Sequence, residues 1–568
     1  MSRKVKNIIC ILLVLLMCVM VYLTMNYAKN NISNNQVNNN MLVDMSEPPE
    51  KPTGDNGDMG EPPEKPSGDS NMSEPPERPN DMSNNVNGIT GIYYLVFGIE
   101  FLIIFIIVIY LIMSNMNKKN IKETFSNKDK IIIYILSIII CVSIFTYFSG
   151  VITNKYFISN NNSMNNGNNN SNITYSGVNE ISEDTTISDV SYESSNKDEN
   201  ALLVSGSVNV SLSNVSVNKT GDSDGGDNTS FYGTNSGIIA KSGAVLNIDN
   251  STIVTNATGA NGVFSYGGSA TTNNSTNDGT TINISNSKIT TSKDNSGGIM
   301  ATGGGIINAS NLEINTSGTS SAAIRSDRGG GTINVNGGSY TTNGIGSPSI
   351  YSTANITVSN AKLISNLSEG IVIEGKNSVT INNCSLEDSN TKLNGKSTTY
   401  KNIFLYQSMS GDASLGSAEF TAKNSNITTN NGDTFYVTNT TGIINLENNN
   451  IVNNDTNGNF LRVKSDSWGN SNSNGGDVTM NATNQKMIGN IVIDNISTLK
   501  LNMNNNSYYE GIINGENAAK SIELVLDNTS SIKLTGDSYV TSLVNSVSDN
   551  SNINFNGYKL YVNGIAIN

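Results

Sequence analysis

The chain of 568 residues contains no histidine. That absence removes His-ligated zinc, Ser-His-Asp and Cys-His chemistry at once. Charge is also scarce: charged residues make up 14% and the formal net charge is -14, so the protein is acidic but weakly charged for its size, and nucleic acid is not an expected partner. Of the four cysteines, Cys10, Cys18 and Cys141 lie in apolar segments and Cys384 stands alone, so no disulfide framework can be drawn. There is one tryptophan, and of the ten prolines nine fall between residues 47 and 79. After residue 150 there are three arginines, Arg325, Arg328 and Arg462, and no Asp-Asp pair.

What is present is a repeat. Between Gly298 and Leu386 the chain reads SGGIMATGGGIINASNLEI, SAAIRSDRGGGTINVNGGSY, SPSIYSTANITVSNAKL and EGIVIEGKNSVTINNCSL. Each unit holds an apolar pair, a Gly- or Ser-bearing turn, and a strand of alternating apolar and polar residues that ends at an Asn. The Asn recurs at 214, 250, 286, 311, 360, 383, 424, 448, 484 and 505, with Asp189, Gly337 and Gly557 in the same slot and an imperfect copy at Asn528. Most steps are 21 to 26 residues, and the longer ones of 36 or 41 read as one coil plus an insertion. A fixed period of this size marks a stacked array in which no unit buries its apolar face alone.

The period within each unit is two, as in Ile282 and Ile284 or Ile356 and Val358, which specifies strands and not helices. Asn at a repeated bend tolerates left-handed backbone angles, and stacked amides bond along an axis. The fold class expected is all-β: a parallel β-helix solenoid of about 14 coils over 176–568, on the order of 70 Å long, preceded by an N-terminal α-helical membrane region. Coils of about 23 residues with an Asn at one corner resemble the right-handed parallel β-helix of the pectate-lyase-like superfamily. More narrowly, they resemble the Asn- and Ser-rich, adhesin-like β-helix proteins of bacterial surfaces. The resemblance covers about two thirds of the chain and implies the fold; this architecture hosts lyases, hydrolases and adhesins alike.

Three apolar runs precede the array. Residues 8–25 follow Arg3, Lys4 and Lys6, so residues 1–28 are either a signal peptide or a retained signal anchor. Asn26-Tyr27-Ala28 is a poor cleavage site, which favours retention. The runs 92–113 and 131–149 are each long enough to cross roughly 30 Å of hydrocarbon as helices, making 91–150 a helical hairpin. Its loop carries Lys118, Lys119, Lys122, Lys128 and Lys130, while 26–90 holds eleven acids and four bases. The positive-inside rule then places that loop in the cytoplasm, and 29–90 and everything after 150 outside. Glu100 within the second run reads as a protonated, packed side chain. E-P-P-E-K/R-P, written three times in 29–90, makes an acidic, semi-rigid spacer, and the Asn-rich stretch in 151–175 makes a flexible one. The C-terminal YKLYVNGIAIN carries no sortase-type tail, so attachment is expected from the N-terminal spans.

Chemistry is harder to locate. A pectate-lyase-like site resembles carboxylates holding calcium beside an Arg or Lys base, and a β-helix glycosidase needs neighbouring carboxylates. Asp327 and Arg328 in SDRGGG, with Glu374 a coil or two later, form the one candidate acid/base group. Asp222, Asp224 and Asp227 look like a calcium loop but lack the bidentate Glu of an EF-hand. No cofactor or metal is implied. The residue after each inward apolar residue of the first strand should face outward: Phe264, Met300, Arg325, Tyr351, Tyr436 and Arg462. With Asp327, Arg328 and Trp468, and with insertions at 267–279, 407–416 and 465–476 as walls, they form the expected ligand-binding strip for a glycan or another surface ligand, since aromatic faces stack on sugars and Arg bonds their oxygens. The expected function is a membrane-anchored, cell-surface, adhesin-like binding protein; the alternative is an extracellular polysaccharide lyase or glycoside hydrolase. In a cysteine-free background, single cysteines in 29–90 and beyond 150 should react with a membrane-impermeant maleimide on intact cells. One in 114–130 should react only after lysis, and the opposite pattern would invert the topology.

Overall fold

A computed structural model describes residues 173–223, 226–268 and 277–568. The expected membrane segments, the Pro-rich spacer, Glu100, Asp224 and the centre of the 267–279 insertion lie outside the described residues. Among the described residues no helix is long and apolar enough to cross a membrane. The array from Gly177 onward is all-β and built of stacked parallel strands.

Most coils add a strand to each of three ladders. The first is a 12-stranded sheet from Gly177–Ile181 to Ile491–Ile493. The second runs from Thr185–Ser188 to Ser542–Asn545 through thirteen successive parallel pairings, which link fourteen strands. The third runs from Ser191–Ser194 to Asn450–Asn453 and is followed by a 4-stranded sheet from Lys486–Ile488 to Ile553–Asn554. In two coils, Gly305–Thr316 and Gly331–Thr342, one continuous strand passes through the bend, so the second and third ladders count as one sheet of 22 strands. At the C-terminal end a short antiparallel pairing, Tyr561 with Ala566, turns the chain back on its last coil.

Alternation sets the core. Leu246, Ile282, Ile307, Ile333, Ile356 and Val379 are register partners coil after coil, and each is at most 1% exposed. Each such burial contributes about 1.5–3 kcal/mol relative to exposure. Like side chains meet like because successive coils share a register.

The bend between the second and third ladders holds that register. Asn214, Asn250, Asn286, Asn311, Asn360, Asn383, Asn424, Asn448, Asn484 and Asn505 all have φ between 47° and 56°. Other L-residues with a Cβ pay roughly 1–2 kcal/mol there. Asn250, Asn286 and Asn311 lie in single file, since Asp249 pairs with Ser285 and Ser285 with Ser310. The N–H of Asn250 donates to the Ser285 carbonyl at 3.2 Å, and that of Asn286 to Ser310 at 3.0 Å. Side-chain amides continue the link: Asn311 Nδ2 donates to Asn286 Oδ1 at 3.4 Å, Asn383 to Asn360 at 2.7 Å and Asn448 to Asn424 at 2.8 Å. The residue after the bend points inward, and its N–H is satisfied by a polar side chain of the next coil. Ser251 N donates to Ser287 Oγ at 3.0 Å, and Asn449 N to Gln485 Oε1 at 2.9 Å.

Asp189 and Gly337 take the slot with φ of 59° and 77°. Gly557 does not: it follows Ile553–Asn554 and so lies past the last bend, where Asn550, at φ 55°, is the left-handed residue. The pattern misassigned it because a Gly after a short apolar strand looks the same on either side of a strand. Asn360 bonds both neighbours, Asn336 and Asn383, each at 2.7 Å. Replacing Asn360 with Ala should cost about 1–3 kcal/mol of local stability, and Gly about half that. A stacked array does not unfold in one step, so amide exchange at Asn360 and Asn383 is the readout; unchanged exchange in Asn360→Ala would contradict the role of the bend.

Candidate functional site

The expected strip lies on the outer side of the 12-stranded sheet, and there it is covered. Phe264 is fully buried in a cluster with Leu203, Ile239 and Met300, against which Tyr175 and Tyr266 pack. A six-residue helix, Asp227–Tyr232, closes over it: a Cβ on Gly233, the residue that ends the helix, would stand 2.7 Å from the Phe264 ring, and Thr302 Oγ1 donates to the Phe231 carbonyl at 2.7 Å. Tyr436, 2% exposed, belongs to a second cluster with Val372, Phe404 and Tyr406, flanked by Tyr351 and Trp468. Phe404 and Tyr406 stack at 4.4 Å between centroids, and Trp468 sits 5.2 Å from Phe404. The fully buried Lys401 places its ammonium 4.4 Å from the Phe404 centroid. The aromatic faces therefore pack on one another and under insertions, instead of standing open to a ligand.

The polar members of the strip are also engaged. Arg325 pairs with Asp327 at 2.9 Å, Arg328 with Asp412 at 2.9 Å, and Arg462 with Asp433. Arg328 lies 4.0 Å over the Phe231 ring, and Tyr436 Oη donates to Asp466 at 2.7 Å. Glu374, 1% exposed, accepts from Tyr351 Oη at 2.6 Å, from Tyr406 Oη at 3.1 Å and from the hydroxyl of Ser408. Burial pushes the Asp327 carboxyl up to about 6 against the pull of Arg325, and nearby Asp412 adds to the rise. Burial likewise raises Glu374 against its three hydroxyl donors, with Asp412 adding again. Asp327 and Glu374 therefore gather in the field of Asp412 beside Arg328. With its oxygens committed and its access closed, this group works as a latch: Ser408 and Asp412 pin the 407–416 insertion onto the sheet.

Of the other candidates, Asp222 accepts the Thr258 N–H at 2.7 Å and Asp227 begins the helix. Among the described residues, no three His, Cys, Asp or Glu side chains gather to hold a metal.

A different face carries an open site. Along the outside of the second ladder, beside the Asn bend, runs a groove of about 910 Å³ that extends from Thr186 to Asn382 and is lined by Thr, Ser, Asn and Asp together with Leu212, Ile248, Ile284, Ala309 and Val335. Its floor is a file of amides. Asn283 Nδ2 donates to Asn247 Oδ1, Asn308 to Asn283 and Asn334 to Asn308, each at 2.9 Å. Beside it, Asp249 accepts from Ser285 Oγ at 2.6 Å and from Asn286 Nδ2 at 2.9 Å, and those bonds hold its carboxyl below the usual range. The signal for this face was in the sequence: VLNID, TINIS, IINAS and TINVN each put Asn between two inward apolar residues. A rule that seeks large outward side chains passes over it. Compared with known proteins, the chain matches no family model, no curated protein sequence and no solved structure.

The latch makes a prediction about pH. A carboxyl raised in the folded state contributes stability that is complete below its unfolded value, near 3.8, and is lost as pH rises through about 6. From pH 7 to pH 5 the wild type should therefore gain stability relative to Asp327→Asn, followed by thermal unfolding. A gap between the two that does not change with pH would overturn the shift.

Proposed function

We propose that the solenoid is the outward-facing, right-handed parallel β-helix ectodomain of a membrane-anchored cell-surface protein, and that it acts adhesin-like by holding an extended glycan in the groove beside the Asn bend. The observation that carries this reading is the file of Asn247, Asn283, Asn308 and Asn334 on the groove floor. An amide presents two donors and an acceptor with two lone pairs. The file uses one donor and one lone pair of each inner member, which leaves a donor and a lone pair per coil for a ligand, repeated at about 4.8 Å. Sugar hydroxyls donate and accept, and a polymer of them meets a row of amides with bonds at successive coils. Each bond is weak, about 1 kcal/mol net, so affinity grows with the length of polymer engaged. The membrane anchor rests on the N-terminal apolar runs and on the charge bias of the segments between them.

The enzymatic alternative draws no support from the latch. Glu374 and Asp327 are buried with their oxygens committed, whereas bond cleavage needs carboxylates that reach a sugar.

The test is a glycan-array screen of the full-length chain in detergent. Asn283→Ala combined with Asn308→Ala should weaken binding of the best ligand about tenfold. Asn450→Ala, which breaks an equivalent amide pair with Asn426 (3.3 Å) outside the groove, should leave binding unchanged. Equal loss in both variants, or in neither, would refute the groove, and release of shortened glycan would revive the enzymatic reading.

A further inference from the structure

Independently of the groove, one interior corner breaks the pattern of its neighbours. The last inward residue of the third ladder is a hydroxyl in most coils, and in four of them that hydroxyl donates to a carbonyl across its own corner. Thr255 Oγ1 donates to the Ala260 carbonyl at 2.7 Å, Thr291 to Ser296 and Thr316 to Ser321 at 2.5 Å, and Ser365 to Ser368 at 2.9 Å. In the next coil the slot holds Asp388, fully buried, which pairs in register with Ser365 on one side and Thr429 on the other. Neither carboxylate oxygen of Asp388 has a hydrogen-bond partner, although the Asn390 backbone N–H lies near it.

Two more orphan oxygens belong to the same corner: Oδ1 of Asn390 and Oδ1 of Asn402, both in residues with no exposed surface. Their amide orientations follow from their nitrogens. Asn390 Nδ2 donates to the Lys401 carbonyl at 3.0 Å, and Asn402 Nδ2 donates to the Thr428 carbonyl at 3.2 Å and to Thr429 Oγ1 at 3.0 Å. Turning either amide over would set oxygen against a carbonyl. Asn402 also stands in a slot that holds Gly or Ala in several earlier coils, as at Gly298, Ala323 and Gly370. Its Oδ1 fills the space a Cβ on Gly370 would enter, at 2.2 Å. An inward Asn beside an inward Asp thus gathers side-chain oxygens in the interior, with the Asn390 backbone N–H close to the carboxylate. The nearest cation, Lys401, is committed elsewhere: its ammonium pairs with Glu369 at 3.4 Å and donates to Ser397 and to the Thr399 carbonyl. Glu369 and Lys401 pair with each other, and burial pushes the Asp388 carboxyl well above its usual range, with Glu369 adding to the rise and Lys401 opposing it.

We propose that this corner is a buried calcium site, with the Asp388 carboxylate and the side-chain oxygens of Asn390 and Asn402 as ligands. One carboxylate and two amide carbonyls are hard oxygen donors of the kind calcium takes, and they supply up to four of its roughly six to eight ligands. A dry interior disfavours magnesium, which keeps its waters. The insertion 389–400 supplies Asn390, together with the Ser397 hydroxyl and the Thr399 carbonyl that accept from Lys401.

The full-length chain in detergent, stripped with a chelator and re-equilibrated with calcium, tests the site by native mass spectrometry and thermal unfolding. Wild type should bind one calcium that magnesium does not displace, and its Tm should rise by several degrees. Asp388→Thr, which restores the residue type of the other coils, should lose both effects, and Asn402→Gly should weaken binding at least tenfold. Should Asp388→Thr fail to fold, Asp388→Asn serves in its place. Calcium dependence that survives these changes overturns the site. So does a wild type indifferent to calcium with Asp388→Asn equally stable, the result expected of a neutral, protonated Asp388.

Discussion

Everything in the solenoid depends on a residue that can turn the chain through left-handed backbone angles and still bond its neighbour. Asn does both. Its backbone at φ near 50° lets the second ladder bend into the third, and its amide reaches the bend residue of the adjacent coil, as Asn383 reaches Asn360 and Asn448 reaches Asn424. Gly would supply the angle without the bond, and Ala neither. Coils held in this way repeat their register, and the inward apolar files follow. The amide file on the groove floor follows too, because Asn247, Asn283, Asn308 and Asn334 can meet only if successive coils stack without slipping.

The two outer faces solve opposite problems. Beside the bend the outward residues are small and polar, solvated, and open along the groove. Across the 12-stranded sheet they are large, and the chain spends insertions on covering them. Helix Asp227–Tyr232 lies over Phe264, and the insertions at 407–416 and 465–476 lie at Glu374 and Tyr436. Each cover is fastened by charged or hydroxyl groups that are buried or half-buried, as with Arg328 on Asp412 and Ser408 on Glu374. The raised carboxyls of Asp327 and Glu374 are the electrostatic cost of those fastenings.

Polar groups inside the solenoid obey the same economy. Ser251, Ser287, Asn449 and Gln485 exist to receive the N–H that each bend leaves behind. Thr255, Thr291 and Thr316 close the opposite corner. The oxygens of Asp388, Asn390 and Asn402 are among the buried side-chain atoms that this accounting leaves without a partner in the protein, and the proposed calcium ion would satisfy them.

By itself the sequence determined the architecture: strands of period two, about fourteen coils, and a left-handed Asn in single file, because these follow from local backbone preference repeated at a fixed interval. Its reading of Gly557 failed for the same reason, since a local pattern does not say on which side of a strand a turn lies. The alternation also told which residues leave the core, and Phe264, Arg325, Tyr351 and Tyr436 do point away from it. Only the tertiary structure decided that these residues are roofed over and that the open face is the one of small amides. What covers a side chain comes from segments far along the chain, as Asp412 covers Arg328 from 84 residues away, and neither spacing nor composition carries that distance.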